Sequence, residues 1–375
     1  MREWKAAGHE DAEMMDSAKQ RMLLRQNSEV VFPGFRTLPP AQEFMAMARW
    51  CESNQIVHDA YGEGEVLAGF EEKVARTLGK EAAVFMPSGV MAQMIAIRIW
   101  TEQRAIPRFG FHATSHLAIH EEEAYQALFQ LHGVPVGNRL RPILATDVAA
   151  IRQPLGCLLL ELPSREIGGQ LPEWTDLEAL KETARQRSLP LHMDGARLWE
   201  CRAFYGQSYE AIAQGFDSVY VSAYKGIGGL AGALLAGGQD FIRHARLWQR
   251  RMGGTLIRQS PMVVSAAMRF DARLALLDAC YQRTLSLANG LAALPGVRVN
   301  PRHPQTNMLH LFFDAPADRV NAARDRIAAE QRHWVINNAK PCEVPGWCTA
   351  ELYVGDTLQE RDNASVLPLF AQLLS

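Results

Sequence analysis

The feature that most constrains the fold of this chain is an alternation of short apolar runs with helical patterns between about residues 80 and 240. The apolar runs are nearly continuous, and in chain order they are Ala82–Met86, Arg108–Phe111, Tyr125–Phe129, Cys157–Glu161, Leu189–Met193 and Ser218–Ser222. Continuous apolar strands separated by helices are typical of a parallel sheet that is buried on both faces. We therefore predict an α/β fold whose large domain has a mostly parallel sheet between helices. A further apolar run, Ala233–Ala236, follows closely enough to be an antiparallel neighbour.

After about residue 260 the pattern changes to helices and strands in roughly equal number. The segments are a long helical stretch at 261–291, a strand at 307–313, a helix at 317–331, a strand at 350–354 and a terminal helix. This order predicts a smaller C-terminal α/β domain. The predicted organisation is an N-terminal extension and arm (1–54), a large domain (55–260) and a small domain (261–375).

Composition limits the classes of partner and the compartment. The formal net charge is −2 and no long block of one sign occurs, so we expect neither nucleic acid nor a membrane surface as a partner. No apolar run approaches the roughly 18 residues of a spanning helix, and the N-terminus lacks the apolar core of a secretory signal. The six cysteines form no CxxC pair, which predicts a reduced, cytoplasmic protein without a metal site.

Two chemically distinctive residues follow neighbouring apolar runs. Asp194 comes directly after Leu189–Met193, and Lys225 comes after Ser218–Tyr224 and before a glycine-rich turn. Ligands of parallel sheets bind at the carboxyl ends of the strands. An amine and a carboxylate placed there suit pyridoxal 5'-phosphate (PLP), because the lysine forms the Schiff base and the aspartate keeps the pyridine nitrogen protonated. Taken singly, Asp194 could be only a helix cap and Lys225 only a turn residue.

Three further sites fit the same cofactor. Ser88, Gly89 and Val90 follow a strand and open a helix, where backbone N–H groups bind phosphate. His116 could supply the imidazole that stacks on the cofactor ring, although His112 and His120 lie close by in sequence. Arg197 could hold a substrate carboxylate in two hydrogen bonds, or could merely pair with a neighbouring acid.

Together these residues resemble the L-threonine aldolase branch of the β-eliminating lyase family, which are fold-type-I PLP-dependent enzymes. The stretches that carry the resemblance are 59–62, 79–92, Ser115-His116 with Glu121, 168–172, 192–197, 225–228 and 253–259. The resemblance implies the fold-type-I, transferase-like architecture. It also implies that Lys225, Asp194 and His116 act on PLP, that Ser88-Gly89-Val90 cradles the phosphate, and that Arg258 reaches the phosphate across a dimer interface.

The resemblance implies substrate-binding roles for Arg197, Ser164 and Tyr61, but the substrate side of the site departs from the family pattern. Ser164 stands where the family has a histidine near the substrate hydroxyl. Val90 replaces a threonine, Gln93 an asparagine and Tyr224 a serine. These departures predict a divergent member with intact cofactor residues and altered substrate recognition.

The expected reaction is PLP-dependent cleavage of the Cα–Cβ bond of a β-hydroxy-α-amino acid, which gives glycine and an aldehyde, with His116 or a water that it holds as the base. Two alternatives stay open. The bond first broken could be Cα–H, which would give β-elimination or racemisation, or the chain could bind PLP without turnover. Under each reading the partner is a small amino acid and the assembly a homodimer or homotetramer.

Overall fold

The structure is a computed structural model, which describes residues 18–375. Its strands are β1 (Val30–Val31), β2 (Ala82–Met86), β3 (Arg108–Phe111), β4 (His132–Pro135), β5 (Cys157–Glu161), β6 (Leu191–Gly195), β7 (Ser218–Ser222), β8 (Ala233–Gly237), β9 (Val297–Asn300), β10 (Met308–Phe313), β11 (His333–Trp334), β12 (Lys340–Pro341) and β13 (Cys348–Tyr353). After residue 28, the α-helices of eight or more residues are Pro40–Ser53, Glu65–Thr77, Gly89–Gln103, Trp174–Gln186, Gln239–Arg251, Ser260–Ala267, Phe270–Leu291, Ala317–Gln331 and Asn363–Ala371. Shorter α-helices are His116–Ile119, Ala124–Phe129, Ala145–Ala149, Arg202–Tyr205, Tyr209–Ala213 and Asp356–Gln359. No helix within residues 18–375 is long and apolar enough to cross a membrane.

Residues 37–281 form one compact unit around a seven-stranded sheet. The strand order is β2-β8-β7-β6-β5-β3-β4, and every neighbouring pair is parallel except the two pairs that include β8. The mostly parallel α/β sheet predicted from the apolar runs is therefore confirmed, and so is the antiparallel strand after the glycine turn. Because β5, β6 and β7 run in the same direction, Glu161, Gly195 and Ser222 end at one edge of the sheet.

Helices bury the faces of the sheet. The helix Gly89–Gln103 packs Ala92, Ile95 and Ile99 against Val84 and Leu235 in one apolar cluster. The helix Gln239–Arg251 adds its own apolar residues to the same cluster. Strands that are buried on both faces favour apolar residues at most positions, which explains the nearly continuous runs in the sequence.

Two predicted segments differ from the structure. The run Tyr125–Phe129 was predicted as a strand, and that prediction is wrong because residues Ala124–Phe129 form a short helix closed on both sides by residues with positive φ, Glu123 and Gln130. The strand that follows, β4, is half-buried or exposed along its length and shows no apolar run. The helical stretch at 261–291 is also interrupted, since one helix ends at Ala267 and the next begins at Phe270.

The described residues up to Arg36 and residues 282–375 form the second compact unit. Its four-stranded antiparallel sheet has the order β12-β13-β10-β9, and β1 pairs in parallel with β11. Phe32 stacks on Phe370 with ring centroids 6.0 Å apart in the core of this unit. The predicted helix at 317–331 and the strand near 350–354 are both present.

The two compact units divide the chain at other positions than the predicted domains. Residues 37–54, predicted as part of an arm, belong to the large unit, whereas residues 18–36 belong with the C-terminal residues. The large unit continues to Tyr281, so its boundary falls inside the helix Phe270–Leu291. Pairing of β1 with β11 is what brings the N-terminal segment into the second unit.

Candidate active site

One cavity of about 270 Å³ in the large unit collects most of the predicted cofactor residues. Its lining includes Ser88, Gly89, Val90, His116, Asp194 and Lys225. These residues are spread over more than 130 positions of sequence. The sheet brings them together because β2, β3, β6 and β7, which precede or contain them, run in the same direction and end at the same edge.

Asp194 is the buried acid of the cavity. It lies in β6 opposite Glu161 of β5 on one side and Tyr220 of β7 on the other, and its side chain is 2% exposed. Its Oδ1 accepts the N–H of Ala196 at 3.1 Å. Burial raises the pKa of the Asp194 carboxyl, while the charge of Lys225 opposes that shift. A carboxylate in this position is stabilised by a cationic or N–H partner.

Lys225 lies just beyond β7, in a turn that the Ser222 side chain organises. The Ser222 Oγ accepts the backbone N–H groups of Tyr224 and Lys225, each at 3.2 Å. Burial lowers the pKa of the Lys225 amine, and the nearby charge of Arg197 lowers it further. A lowered pKa enlarges the fraction of neutral amine, which is the nucleophilic form.

The N-terminus of the helix Gly89–Gln103 forms one wall of the cavity. The Ser88 Oγ caps this helix by accepting the N–H of Met91 at 3.2 Å. The first N–H groups of a helix have no acceptor within it and therefore favour an anion such as phosphate. A Cβ at Gly89 would lie 2.1 Å from the Tyr220 Oη, so only glycine lets the helix start so close to β7.

His116 is held by two buried acids. Its Nδ1 lies 2.9 Å from the Glu121 Oε1, and its backbone N–H donates to the Glu161 Oε2 at 3.2 Å. Glu161 also accepts the N–H of Arg165 at 3.0 Å. Burial, reinforced by the charge of Asp194, raises the pKa of Glu161 to about 7. The imidazole is therefore fixed at Nδ1, which leaves Nε2 as its second polar atom.

Four predicted site residues do not line the cavity. Arg197 lies near enough for its charge to lower the pKa of Lys225. The Ser164 Oγ is buried and donates to the Glu161 backbone oxygen at 3.3 Å. Tyr61 is 63% exposed with positive φ, and Arg258 is exposed with its Nη1 donating to the Asp59 backbone oxygen at 2.6 Å. The expected roles of these four in binding substrate or phosphate remain predictions.

Other lining residues were not among the candidates named from sequence. Tyr220, Gln93 and Glu121 all face the cavity, and Glu161 lies just behind it. Tyr220 and Glu161 sit inside apolar runs, where the sequence indicates only a buried strand. The strand register of the structure, which places both opposite Asp194, is what identifies them. Within residues 18–375 no cluster of histidine, cysteine and acidic side chains is placed to hold a metal ion.

The residues present fit PLP. A buried acid for the ring nitrogen, an amine of lowered pKa and a helix N-terminus for the phosphate share one cavity. Two side-chain atoms in the lining, the Gln93 Nε2 and the Glu121 Oε2, are buried without a hydrogen-bond partner in the described structure. Polar atoms left in this state are typical of a site that a polar ligand completes.

The chain is similar to known proteins over most of its length. The sequence profile of the family described as β-eliminating lyase matches residues 42–313. Low-specificity L-threonine aldolase 1 of Arabidopsis thaliana is 27% identical over 287 residues, which are 74% of this chain and 80% of that protein. The crystal structure of a candidate L-allo-threonine aldolase from Listeria monocytogenes superposes with a TM-score of 0.87 at 36% identity, over 95% of this chain and 98% of that one.

A second crystal structure, of a candidate aromatic amino acid β-eliminating lyase/threonine aldolase from Exiguobacterium sp. 255-15, gives a TM-score of 0.88 at 36% identity. It covers 94% of this chain and 99% of that chain. The region matched by the family profile spans the Asp194, Lys225 and helix N-terminal segments described above. The chain belongs to the β-eliminating lyase family.

Proposed function

We propose that this protein is a PLP-dependent lyase that cleaves the Cα–Cβ bond of β-hydroxy-α-amino acids to give glycine and an aldehyde. The observation that carries the proposal is the single cavity lined by Lys225, Asp194, His116 and the Ser88-Gly89 helix start. The similarity to proteins named as threonine aldolases supports this choice of bond over the Cα–H bond.

The cofactor residues have separate tasks. When bound, PLP supplies an electron-accepting ring that takes up the electron pair of a bond broken at the substrate Cα. Asp194 hydrogen-bonds the ring nitrogen, because a carboxylate so deeply buried needs an N–H donor. Lys225, whose amine pKa is lowered by burial, would provide the amine that holds the cofactor. The helix N-terminus at Ser88-Gly89 binds the phosphate.

The substrate hydroxyl needs a base, and His116 is the group that we assign to it. Donation from its Nδ1 to the Glu121 Oε1 leaves the Nε2 lone pair to accept the hydroxyl proton, directly or through a water. Glu121 is buried and stabilises the imidazolium that results. Arg197 binds the substrate carboxylate close to Lys225. Ser164, whose hydroxyl is engaged by the Glu161 backbone, contributes shape rather than acid–base chemistry.

A second copy of the chain completes the site in this proposal. Val90, Tyr224 and Leu230 line the cavity and are 39%, 43% and 47% exposed, and they leave an apolar rim around it. Tyr61 and Ile257, also exposed, lie together through a backbone hydrogen bond of 3.3 Å. Exposed apolar surface of this kind is covered in oligomers. Homodimerisation would cover it and would bring Arg258 of the second copy to the phosphate.

We also propose a cytoplasmic location. None of the six cysteines, which all lie within residues 18–375, is in a disulfide, and four of them, including Cys157 and Cys201, are buried. Burial raises the pKa of the Cys157 and Cys201 thiols, so both stay in the unreactive protonated form. Unpaired cysteines in this number are typical of reducing compartments.

The proposal is tested by the absorbance spectrum and products of the purified protein. Reconstitution with PLP is expected to give the near-visible band of lysine-bound cofactor, and threonine or phenylserine is expected to release glycine and an aldehyde. Lys225→Ala should lose both band and turnover, whereas Lys340→Ala, an exposed lysine in β12, should keep both. Release of pyruvate and ammonia from serine, with no aldehyde from phenylserine, would show that the reaction is elimination and not aldol cleavage.

A further inference from the structure

Gln93 is the one side chain of the cofactor cavity whose amide is both buried and half paired among the described residues. It lies in the helix Gly89–Gln103, about one turn beyond Gly89, and is 1% exposed. Its Oε1 lies 2.6 Å from the His192 Nε2. Its Nε2 has no hydrogen-bond partner, although Gln93 lines the cavity. An amide N–H in this situation costs free energy until an acceptor reaches it.

The side chains behind Gln93 decide which end of its amide faces the cavity. The Trp100 Nε1 lies 2.8 Å from the Ser218 Oγ, which in turn lies 2.8 Å from the His192 Nδ1. Indole N–H only donates, so the Ser218 Oγ accepts from Trp100 and has one hydrogen of its own to give. The His192 Nδ1 is the acceptor in reach of that hydrogen.

The remaining steps follow from the protonation of His192. Both His192 and Ser218 are fully buried, and burial lowers the pKa of His192 to about 3, so the neutral ring carries one N–H. With Nδ1 accepting from Ser218, this N–H is on Nε2 and donates to the Gln93 Oε1. The Gln93 Oε1 is the amide atom that lies against His192, and the Gln93 Nε2 has no hydrogen-bond partner among residues 18–375. Four residues thus form a one-way chain of donors that ends in the Gln93 NH₂ group.

We propose that Gln93 is a further cofactor-binding residue, whose side-chain amide donates a hydrogen bond to an oxygen of the PLP bound in this cavity. The inference rests on the proposed function only in that PLP is the ligand. The chain from Trp100 to Gln93 fixes the direction of the donor before the cofactor arrives, so no rotation of the amide is lost on binding. Gln93 therefore works with Asp194, which lies two residues beyond His192 in β6, to set the plane of the ring.

Two variants separate the hydrogen bond from the packing. Gln93→Met keeps the length of the side chain and removes both amide atoms. Gln93→Glu keeps an acceptor for the His192 N–H but offers a lone pair to the cofactor in place of a donor. Thr101→Val is the matched control, because Thr101 is buried in the same helix and bonds only to that helix, to the Ile97 oxygen at 2.8 Å and the Arg98 oxygen at 3.1 Å.

The measurements are the dissociation constant of PLP from the cofactor-depleted full-length protein at pH 8, the wavelength of the bound cofactor band, and the thermal midpoint of the cofactor-free protein. We expect both Gln93 variants to weaken PLP binding at least tenfold and to shift the band, while Thr101→Val changes the midpoint alone. Wild-type affinity and an unshifted band in the two Gln93 variants would overturn the inference. So would weakened binding by Thr101→Val to the same degree, because the effect would then be one of helix stability. A wild-type protein that binds PLP but releases no aldehyde would refute the proposed function and leave this inference standing.

Discussion

Glu161 offers a test of the site that needs no cofactor. It ends β5 directly opposite Asp194 and is 7% exposed. Its two carboxyl oxygens accept the N–H groups of His116 and Arg165, which favours the charged form. Burial and the charge of Asp194 raise the pKa of Glu161 by more than those hydrogen bonds and the Lys225 charge lower it. Between pH 4.5 and about 7, the folded cofactor-free protein should therefore keep a proton on Glu161 that the unfolded chain has already released.

The size of the effect follows from the pKa of Glu161, which is raised from 4.5 to about 7 in the folded chain. A group whose pKa is higher in the folded than in the unfolded chain stabilises the folded chain at pH values below its unfolded pKa. That stabilisation is lost as the pH rises through the folded pKa. At about 1.4 kcal/mol per pH unit, the interval from 4.5 to about 7 corresponds to a loss of about 3 kcal/mol. In Glu161→Gln this loss should be absent, because the amide does not titrate.

The assay is urea unfolding of the cofactor-free protein at intervals from pH 5 to 8. Groups that titrate in both proteins cancel in the difference between wild type and variant. That difference should shrink by up to about 3 kcal/mol as the pH rises. A cost that does not depend on pH adds to it, because one backbone N–H loses its carboxylate acceptor in the variant. Glu182→Gln is the control: Glu182 is exposed, and Arg185 lowers its pKa to about 2, below the tested range. Parallel curves for wild type and Glu161→Gln would refute the reasoning.

Two other substitutions, one in each compact unit, test the packing inside that unit. Gly89→Ala would place a Cβ 2.1 Å from the Tyr220 Oη, so the affinity for PLP, measured by titration, should fall at least tenfold. The control is Gly69→Ala, whose Cβ would meet no atom within 4 Å and which should leave the affinity unchanged. Arg324 is fully buried, with hydrogen bonds to Asp325 and two asparagines. Arg324→Met leaves those partners unpaired and should lower the free energy of urea unfolding by about 3 kcal/mol, and an unchanged midpoint would contradict this.

The prediction from sequence succeeded where function and fold share the same signal. Asp194 and Lys225 could be found because each follows an unbroken apolar run, and parallel strands bring such ends together. Tyr125–Phe129 misled for the opposite reason, since an apolar run of that length suits a short helix as well as a strand. The true strand β4 contains Gly133, where a Cβ would lie 2.1 Å from a carbon of the Phe111 ring, and that requirement is visible only in the folded chain.

Gln93 and Glu161 mark the limit of such reasoning. Gln93 could be noted only as a substitution for an expected asparagine, and its importance depends on His192, 99 positions away. Glu161 looks like the polar end of a buried strand until the register places it beside Asp194. Both residues act through partners that are distant in sequence, and no local pattern encodes those partners.

The position of β8 between β2 and β7 has a consequence for folding during synthesis on the ribosome. β2 carries the phosphate cradle at its end, yet it has no direct pairing with β7 and joins the sheet only through Ala233–Gly237. About 150 residues are therefore synthesised after β2 before its partner strand exists. A nascent chain that stops before residue 233 can pair β5, β6 and β7 but lacks the strand that hydrogen-bonds β2 into the sheet. Its β2 is then connected to them through the helix Gly89–Gln103, whose Gln93 and Trp100 bond to His192 and Ser218. The ladder of hydrogen bonds that holds β2 in place should thus form only when β8 leaves the exit tunnel.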